Sequence, residues 1–500
     1  MIQQLTPITI IIIIASYFLL LITVSYFTGK DGGNAKFFLA GRQSPWILVA
    51  IGMVGATLSG VTFISIPGVV GAGKANMAFS YMQMVFGYLL GYLVIATILI
   101  PLYYRMNLTS IYGYLEKRFG FYSYKTGAVY FLLSRTIGAS FRLYLVAIVL
   151  QKFVMDPFGI PFWVTVMITI VLIWIYTFRG GINTIIWTDT LQTVCMLTAV
   201  VMTIFAIGSA LETNFAGMVG MIRQSEYSQV FFFEGGWSDP NNFFKQFISG
   251  ALITITMTGL DQDMMQKNLS CKNIGEAQKN MFTFSIALVF AKALFLALGA
   301  LLYIYASHVG LTIPEQTDQL FPTVALQNLS PLIGIVFILG LTAAAYSSAD
   351  SALTALTTSF CVDFLNFEKK EATDGSLKQT RIKVHLGFSL LLLATILLFN
   401  AISNDAVISQ LFVAAGYTYG PLLGLFTFGM VTRLRVRDRY VIPVCLAAPV
   451  ISFFIDRYSA DLLAGFQFGF LIIALNGFLT FLGLLAISYK EYEVEDGVAH

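Results

Sequence analysis

The run Leu341-Thr-Ala-Ala-Ala-Tyr-Ser347-Ser348-Ala-Asp350-Ser351 sets three serine hydroxyls and a carboxylate close together in an otherwise apolar segment. Ser347 and Ser351 share a helical face, and Ser348 and Asp350 flank it. A hard cation is held by such a set of oxygens. An aspartate at mid-membrane costs ~2.5–3.5 kcal/mol on insertion scales, and such residues usually mark an ion or solute path. Serine hydroxyls can also bond back to their own helix. That accounts for the serines but not for Asp350.

Further oxygens can come from backbone. Gly52, Gly55 and Gly60, the hydroxyls of Thr57, Ser59, Thr62 and Ser65, and Pro67-Gly68 are poor material for one uninterrupted helix. Backbone at membrane depth unwinds only where it is buried in protein or lines a cavity. Broken helices of this kind offer freed carbonyls to cations and half-helix N-termini to anionic groups. A tight helix–helix contact through small residues is the other reading. A second glycine-interrupted, polar segment spans 243–265 and runs into Asp261-Gln262-Asp263, five spans later, the spacing of two inverted five-helix repeats.

Arg135 and Arg142 lie seven residues apart on one helical face of an apolar span, so they require partners or a wet cavity. Arginine recognises carboxylates through paired, planar hydrogen bonds. Either arginine, Arg142 being the deeper, could bind an anionic solute such as a sugar acid or small carboxylate. Alternatively Arg135 pairs with an internal carboxylate or snorkels to the membrane surface. Lys292, a third buried cation, is expected to be structural.

The elements that must position these groups follow from composition. The chain has 500 residues, 57% hydrophobic and 11% charged, against about 25% charged in a soluble domain. One soluble core cannot absorb that much apolar surface, which leaves lipid. Apolar stretches lie near 7–28, 45–71, 76–104, 126–151, 160–178, 184–211, 243–265, 281–306, 332–361, 382–400, 406–431, 439–456 and 463–488. That predicts an all-α membrane protein of about thirteen helices. The first is expected to be a membrane helix and not a cleaved signal, since no basic residue precedes Lys30. With the N-terminus outside, 21 basic residues fall in cytoplasmic segments and 5 in external ones, so N-outside, C-inside is expected. The loops are too short for a soluble catalytic domain. Four scattered cysteines form no CxxC pair, and the three histidines no HExxH. No nucleophile–base set is visible, so an enzyme is not expected, nor is a nucleic-acid partner.

Three motifs carry a resemblance to a known family. Tyr176-Thr-Phe-Arg-Gly180-Gly181-Ile-Asn-Thr-Ile-Ile-Trp187-Thr188-Asp189-Thr-Leu-Gln192, Thr109-Ser-Ile-Tyr112-Gly-Tyr-Leu115-Glu116-Lys117-Arg118-Phe119-Gly120 and Asp261-Gln262-Asp263-Met-Met-Gln266-Lys267 resemble the sodium–solute symporters, which include sugar, proline, iodide and sialic acid carriers. Many relatives carry arginine where Lys267 stands. The resemblance covers about residues 37–485 and implies a LeuT-like five-plus-five fold. An extra helix would lie at 7–28, the repeats at 45–211 and 243–431, and two further helices at 439–488. It implies a main sodium site from the carbonyls of Gly55, Leu58 and Ala344 and the hydroxyls of Ser347 and Ser348. It also implies a candidate second sodium site at Asp189, Asp350 and Ser351, where Asp350 replaces a family serine.

The segment Ala56–Pro67 looks most like the sialic acid symporters. There, hydroxyls matching Thr57, Ser59 and Thr62, and a glutamine matching Gln83, contact substrate. Asp261 and Gln262 join the candidate substrate set with Arg142 and Arg135. The arginine that holds the carboxylate in those carriers matches Ala139 here, a departure. The expected function is sodium-coupled import of a small solute by alternating access, in a bacterial inner membrane, by a monomer in the lipid bilayer. The solute is an acidic sugar such as sialic acid or another carboxylate, with a neutral sugar or amino acid, or proton coupling, as alternatives.

Overall fold

The computed structural model describes residues 6–29, 33–73, 75–367, 374–402 and 407–490, with backbone alone over 407–415. Numbering only the helices of the spans, the chain forms α1 (Pro7–Thr28), α2 (Trp46–Thr57), α3 (Gly60–Val69), α4 (Tyr81–Arg105), α5 (Phe121–Leu150), α6 (Phe162–Thr177), α7 (Ile182–Ala210) and α8 (Phe243–Gly259). It continues through α9 (Gln262–Leu269), α10 (Ile274–His308), α11 (Pro331–Phe364), α12 (Asp374–Ile402), α13 (Val407–Val431), α14 (Val441–Arg457) and α15 (Ile472–Ala486). Among the described residues nine helices are long and apolar enough to cross a membrane, and two bent pairs raise this to eleven. The shorter α6 and the helix α13 bring the elements to the thirteen expected. A two-residue pairing of β1 (Arg435–Val436) with β2 (Ser488–Tyr489) ties the end of α13 to the end of α15.

Both segments expected to break do so. α2 and α3 meet at 57° across Leu58-Ser59, and α8 and α9 at 64° across Leu260-Asp261. A π-helical turn, Ile255–Gly259, precedes the second break. The bend corrects one sequence expectation. The 21 basic residues expected in cytoplasmic segments include Lys267, yet the chain turns back into the protein as α9, and Lys267 is 1% exposed. The charge bias of the loops survives its removal.

α11 is the axis of the molecule. Every residue from Gly340 to Ser359 is buried, which a row of Gly, Ala and Ser permits because neighbouring backbones can approach closely. It packs chiefly against α7 and α5. Apolar side chains such as Leu19, Phe290 and Phe454 cover the outside.

One end of the bundle is laced by side-chain hydrogen bonds. There the Gln262 amide donates to the Thr109 carbonyl (2.8 Å) and accepts from the Ile111 N–H (3.0 Å). Asp363 accepts from Ser110 (2.8 Å), Tyr124 (3.0 Å) and Ser359 (2.5 Å). At the other end a vestibule of about 540 Å³ reaches inward between Ser65, Asn76, Gln246 and Asp318.

α4 and α8 touch through glycine. A Cβ on Gly91 would stand 2.6 Å from Thr254 Cβ and 2.8 Å from the Ala251 carbonyl oxygen. Gly91→Val therefore forces these helices apart, at about 1–3 kcal/mol for an overpacked interior. A thermal melt of the purified protein in detergent is expected to show a midpoint lowered by several degrees; an unchanged midpoint would contradict this packing.

Candidate functional site

The first break frees oxygens. The ladder of α2 ends with the Leu58 N–H on the Val54 carbonyl, and the next such bond joins the Phe63 N–H to the Ser59 carbonyl. The carbonyls of Gly55, Ala56, Thr57 and Leu58 thus leave the helical ladder. α11 lies directly against them: Ser348 Oγ donates to the Ala56 carbonyl at 3.4 Å, and a Cβ on Gly60 would be 3.7 Å from the Ala345 backbone. Ser347 Oγ donates its proton to Asp189 Oδ1 at 2.6 Å, so its lone pairs remain for a cation.

The second break is satisfied by protein. Tyr103 Oη donates to the Gly259 carbonyl (2.9 Å) and Tyr112 Oη to the Leu260 carbonyl (3.1 Å). Asp261 Oδ1 accepts the Asp263 N–H (2.9 Å) and caps α9.

Asp189, fully buried on α7, is already engaged. Its Oδ2 accepts from Lys267 Nζ at 2.7 Å and from Ser351 Oγ at 3.3 Å. Asp350 accepts from Tyr176 Oη (2.8 Å) on Oδ2 and from the Ser351 N–H (2.5 Å) on Oδ1. Sequence reasoning named Asp189, Asp350 and Ser351 but missed Lys267 and Tyr176 as their partners. Both residues ended or began a quoted motif, and nothing in the linear pattern shows that they meet.

Below the vestibule and sharing Thr62, Tyr81 and Tyr88 with it lies an inner cavity of about 160 Å³. Thr57, Ser59 and Thr62 line it, as do Arg135, Arg142 and Lys292. The Thr57 hydroxyl is buried without a hydrogen-bond partner among the described residues. Lys292 Nζ donates to Thr62 Oγ1 at 3.2 Å and stands 5.4 Å from the Tyr81 ring centre. Arg135 is ion-paired with Asp263 and lies 3.9 Å from Asp261 Oδ2. Tyr419, also on the cavity, donates to that oxygen at 2.6 Å. Arg142 has no carboxylate at ion-pair distance among the described residues.

Three candidates do not line the cavity. Gln83 is turned away, donating to the Asn241 carbonyl (2.8 Å) and accepting from the Phe232 N–H (3.0 Å). Gln262 spends both amide atoms on the backbone of residues 109–111. Asp261 reaches the cavity only through Tyr419 and Arg135. A buried amide or carboxylate takes the nearest backbone or charged partner, and here that partner is protein. Lys292, expected to be structural, faces the cavity instead.

A model of the sodium:solute symporter family matches residues 37–441. The chain belongs to that family. The symporter is 26% identical over 467 residues to the sodium/sialic acid symporter NanT of Aliivibrio fischeri, covering 91% of this chain and 89% of that one. It is 24% identical to the human sodium-coupled monocarboxylate transporter 1, over 81% of this chain and 66% of the relative. A solved Na+-coupled sialic acid symporter, substrate-bound and outward-open, matches with a TM-score of 0.82 at 20% identity, covering 96% of this chain and 99% of that one. The fold is the LeuT-like one expected. The symporter is a multi-pass membrane transporter that couples a small solute to sodium, and not an enzyme.

In the symporter, Arg135 and Asp263 form a buried ion pair between α5 and α9. Removing one partner strands the other charge at about 3–5 kcal/mol. Asp263→Asn is expected to abolish a monodisperse peak in detergent gel filtration, and the double variant Arg135→Gln/Asp263→Asn to restore much of it. Equal losses in both would mean that the pair is not the source of the penalty.

Proposed function

We propose that the symporter imports a carboxylate-bearing solute with sodium, the carboxylate resting between Arg142 and Lys292. Sialic acid is the first candidate. The observation that carries this is a charge imbalance. Among the described residues around the inner cavity, three cations, Arg135, Arg142 and Lys292, meet two carboxylates, Asp261 and Asp263. One positive charge is left over, buried where an unpaired charge is costly, and a monoanion supplies its counter-ion. Both relatives described above are named for acids. Ala139 replaces the carboxylate-binding arginine of the sialic acid carriers, and Arg142 stands about one helical turn further along the same helix. Thr57, Ser59 and Thr62 would meet the hydroxyls of the solute, and a larger body would extend into the vestibule.

Sodium would sit where the Gly55, Leu58 and Ala344 carbonyls meet the Ser347 and Ser348 hydroxyls, joining α2 to α11. Gln83, Asp261 and Gln262 would then position the walls without touching solute. The repeats 45–211 and 243–431 would rock about the ion, with 7–28 and 439–488 peripheral. The vestibule opens on the side expected to be external. N-outside, C-inside placement in a bacterial inner membrane, as a monomer surrounded by lipid, fits the loop charges and the apolar exterior. A monoanion moving with one sodium transfers no net charge, so it forgoes the ~2.3 kcal/mol per 100 mV that a moving charge would add.

The test is counterflow in proteoliposomes with sialic acid, hexuronic acids, short monocarboxylates, neutral hexoses and proline, with and without sodium. Sodium-dependent exchange of an acid is expected, and that exchange should be lost in Ser348→Ala. Arg142→Ala and Lys292→Met should each raise the half-saturating acid concentration about ten- to a hundredfold, the worth of a charge-assisted hydrogen bond of roughly 1.5–3 kcal/mol. Exchange confined to a neutral solute would remove the acid reading. Undiminished exchange without sodium would remove the ion site.

A further inference from the structure

The wall between the vestibule and the inner cavity carries chemistry that transport as described so far does not use. Val61, Thr62, Tyr81, Tyr88, Ile253 and Met257 border both spaces. Tyr81 and Tyr88 stand seven residues apart on α4, about two turns along one face. Their hydroxyl oxygens are 2.8 Å apart, and their rings meet edge to face with centres 6.4 Å apart. A phenol carries a single proton, so a bond between two phenols uses one proton and leaves the other. That second proton has no acceptor among the described residues. Lys292 lies at the same wall, its ammonium 5.4 Å from the Tyr81 ring centre and donating to Thr62. Gln83, the α4 residue expected at the solute, is held by the Asn241 carbonyl and the Phe232 N–H. The α4 side chains that do line the cavity are Tyr81, Tyr88 and Tyr92.

We propose that Tyr81 and Tyr88 form a paired solute gate: their rings close the neck between vestibule and cavity, and the proton left on the pair donates to the bound acid. A solute moving inward must part the rings, which breaks the bond between the two hydroxyls. An acid offers a replacement. A carboxylate oxygen that takes the spare proton makes a charge-assisted hydrogen bond, stronger than one between two phenols. The rings then cover the body of the solute with apolar surface while their polar tips stay bonded, the usual use of tyrosine at a half-polar wall. A neutral solute would gain the ring contact and only an ordinary hydrogen bond. The pair therefore shuts more firmly over an acid than over a neutral solute, and adds to the preference set by Arg142 and Lys292.

The role of the hydroxyls rests on the acid reading proposed above; closure by the rings does not, and a reporter of access tests it without solute. Gly138 on α5 lines the inner cavity, and a Cβ there meets nothing within 4 Å, so Gly138→Cys is accommodated. Labelling of that thiol by a bulky maleimide, in purified protein with sodium present, is measured against the background of the chain without the reporter. It is expected to be slow with both tyrosines intact and several-fold faster in Tyr81→Ala/Tyr88→Ala. Should the double variant lose its monodisperse peak, Tyr88→Ala carries the same comparison. Tyr81→Phe/Tyr88→Phe keeps the rings and should label as slowly as the parent. Its half-saturating concentration for sialic acid in counterflow should rise about tenfold, the loss of a hydrogen bond to a charged group. Equal labelling with and without the rings would overturn the gate, whatever the solute. Unchanged saturation in the phenylalanine variant, where the wild type exchanges sialic acid, would overturn the role of the hydroxyls. A wild type that exchanges no acid would instead count against the acid reading, and the labelling rates would still decide the gate.

Discussion

A hydrocarbon interior offers no water to a backbone carbonyl, so every break in a membrane helix must find its oxygens another partner. This chain breaks two helices and resolves them differently. At Gly259 and Leu260 the hydroxyls of Tyr103 and Tyr112 take the carbonyls, and the break becomes a rigid corner. At Gly55 to Leu58, among the described residues, the side-chain hydroxyl that reaches the freed carbonyls is Ser348, at 3.4 Å from the Ala56 oxygen. A cluster of carbonyls without donors beside serines is a setting that a cation would suit, and in the proposed reading sodium would serve as the missing hydrogen-bond donor of one broken helix.

The electrostatics divide into two neighbourhoods separated by the same break. On the α7 side, Asp189 and Asp350 face Lys267, an excess of negative charge that favours cations nearby. On the cavity side, Arg135, Arg142 and Lys292 outnumber Asp261 and Asp263, an excess that favours anions. The half-helix α9 links the two, placing Asp263 in the second and Lys267 in the first. In the proposed reading, a cation and an acid bound together would neutralise opposite imbalances, a form of coupling that needs no contact between ion and solute.

Much of this was legible in the residues. Glycine and hydroxyl density marked both breaks, the five-span interval between them marked the repeat, and Asp350 stood out as a membrane carboxylate that needed partners, which Tyr176 and the Ser351 N–H supply. Arg135 was recognised as a residue that needed a partner. What could not be read was pairing. Lys267 and Asp189 lie 78 residues apart, and Gln262 reaches a loop 153 residues before it. A polar side chain at membrane depth advertises that it will be bonded, but which partner it takes depends on how the bundle closes. For that reason the partners of Gln83 and Gln262, and the place of Lys292 on the cavity wall, came only with the structure. The sharp turn of α9 back into the protein was invisible because its residues are as polar as those of a loop.

That half-helix has a kinetic consequence. Along its eight residues, Gln262 grips the 109–111 loop, Asp263 grips α5, Gln266 grips both the Phe38 backbone and α11, and Lys267 grips α7. Opening this end of the bundle cannot proceed by loosening these one at a time, because each bond left behind holds the segment in register for the others. Any such opening is therefore expected to be cooperative, with a rate that climbs steeply on warming.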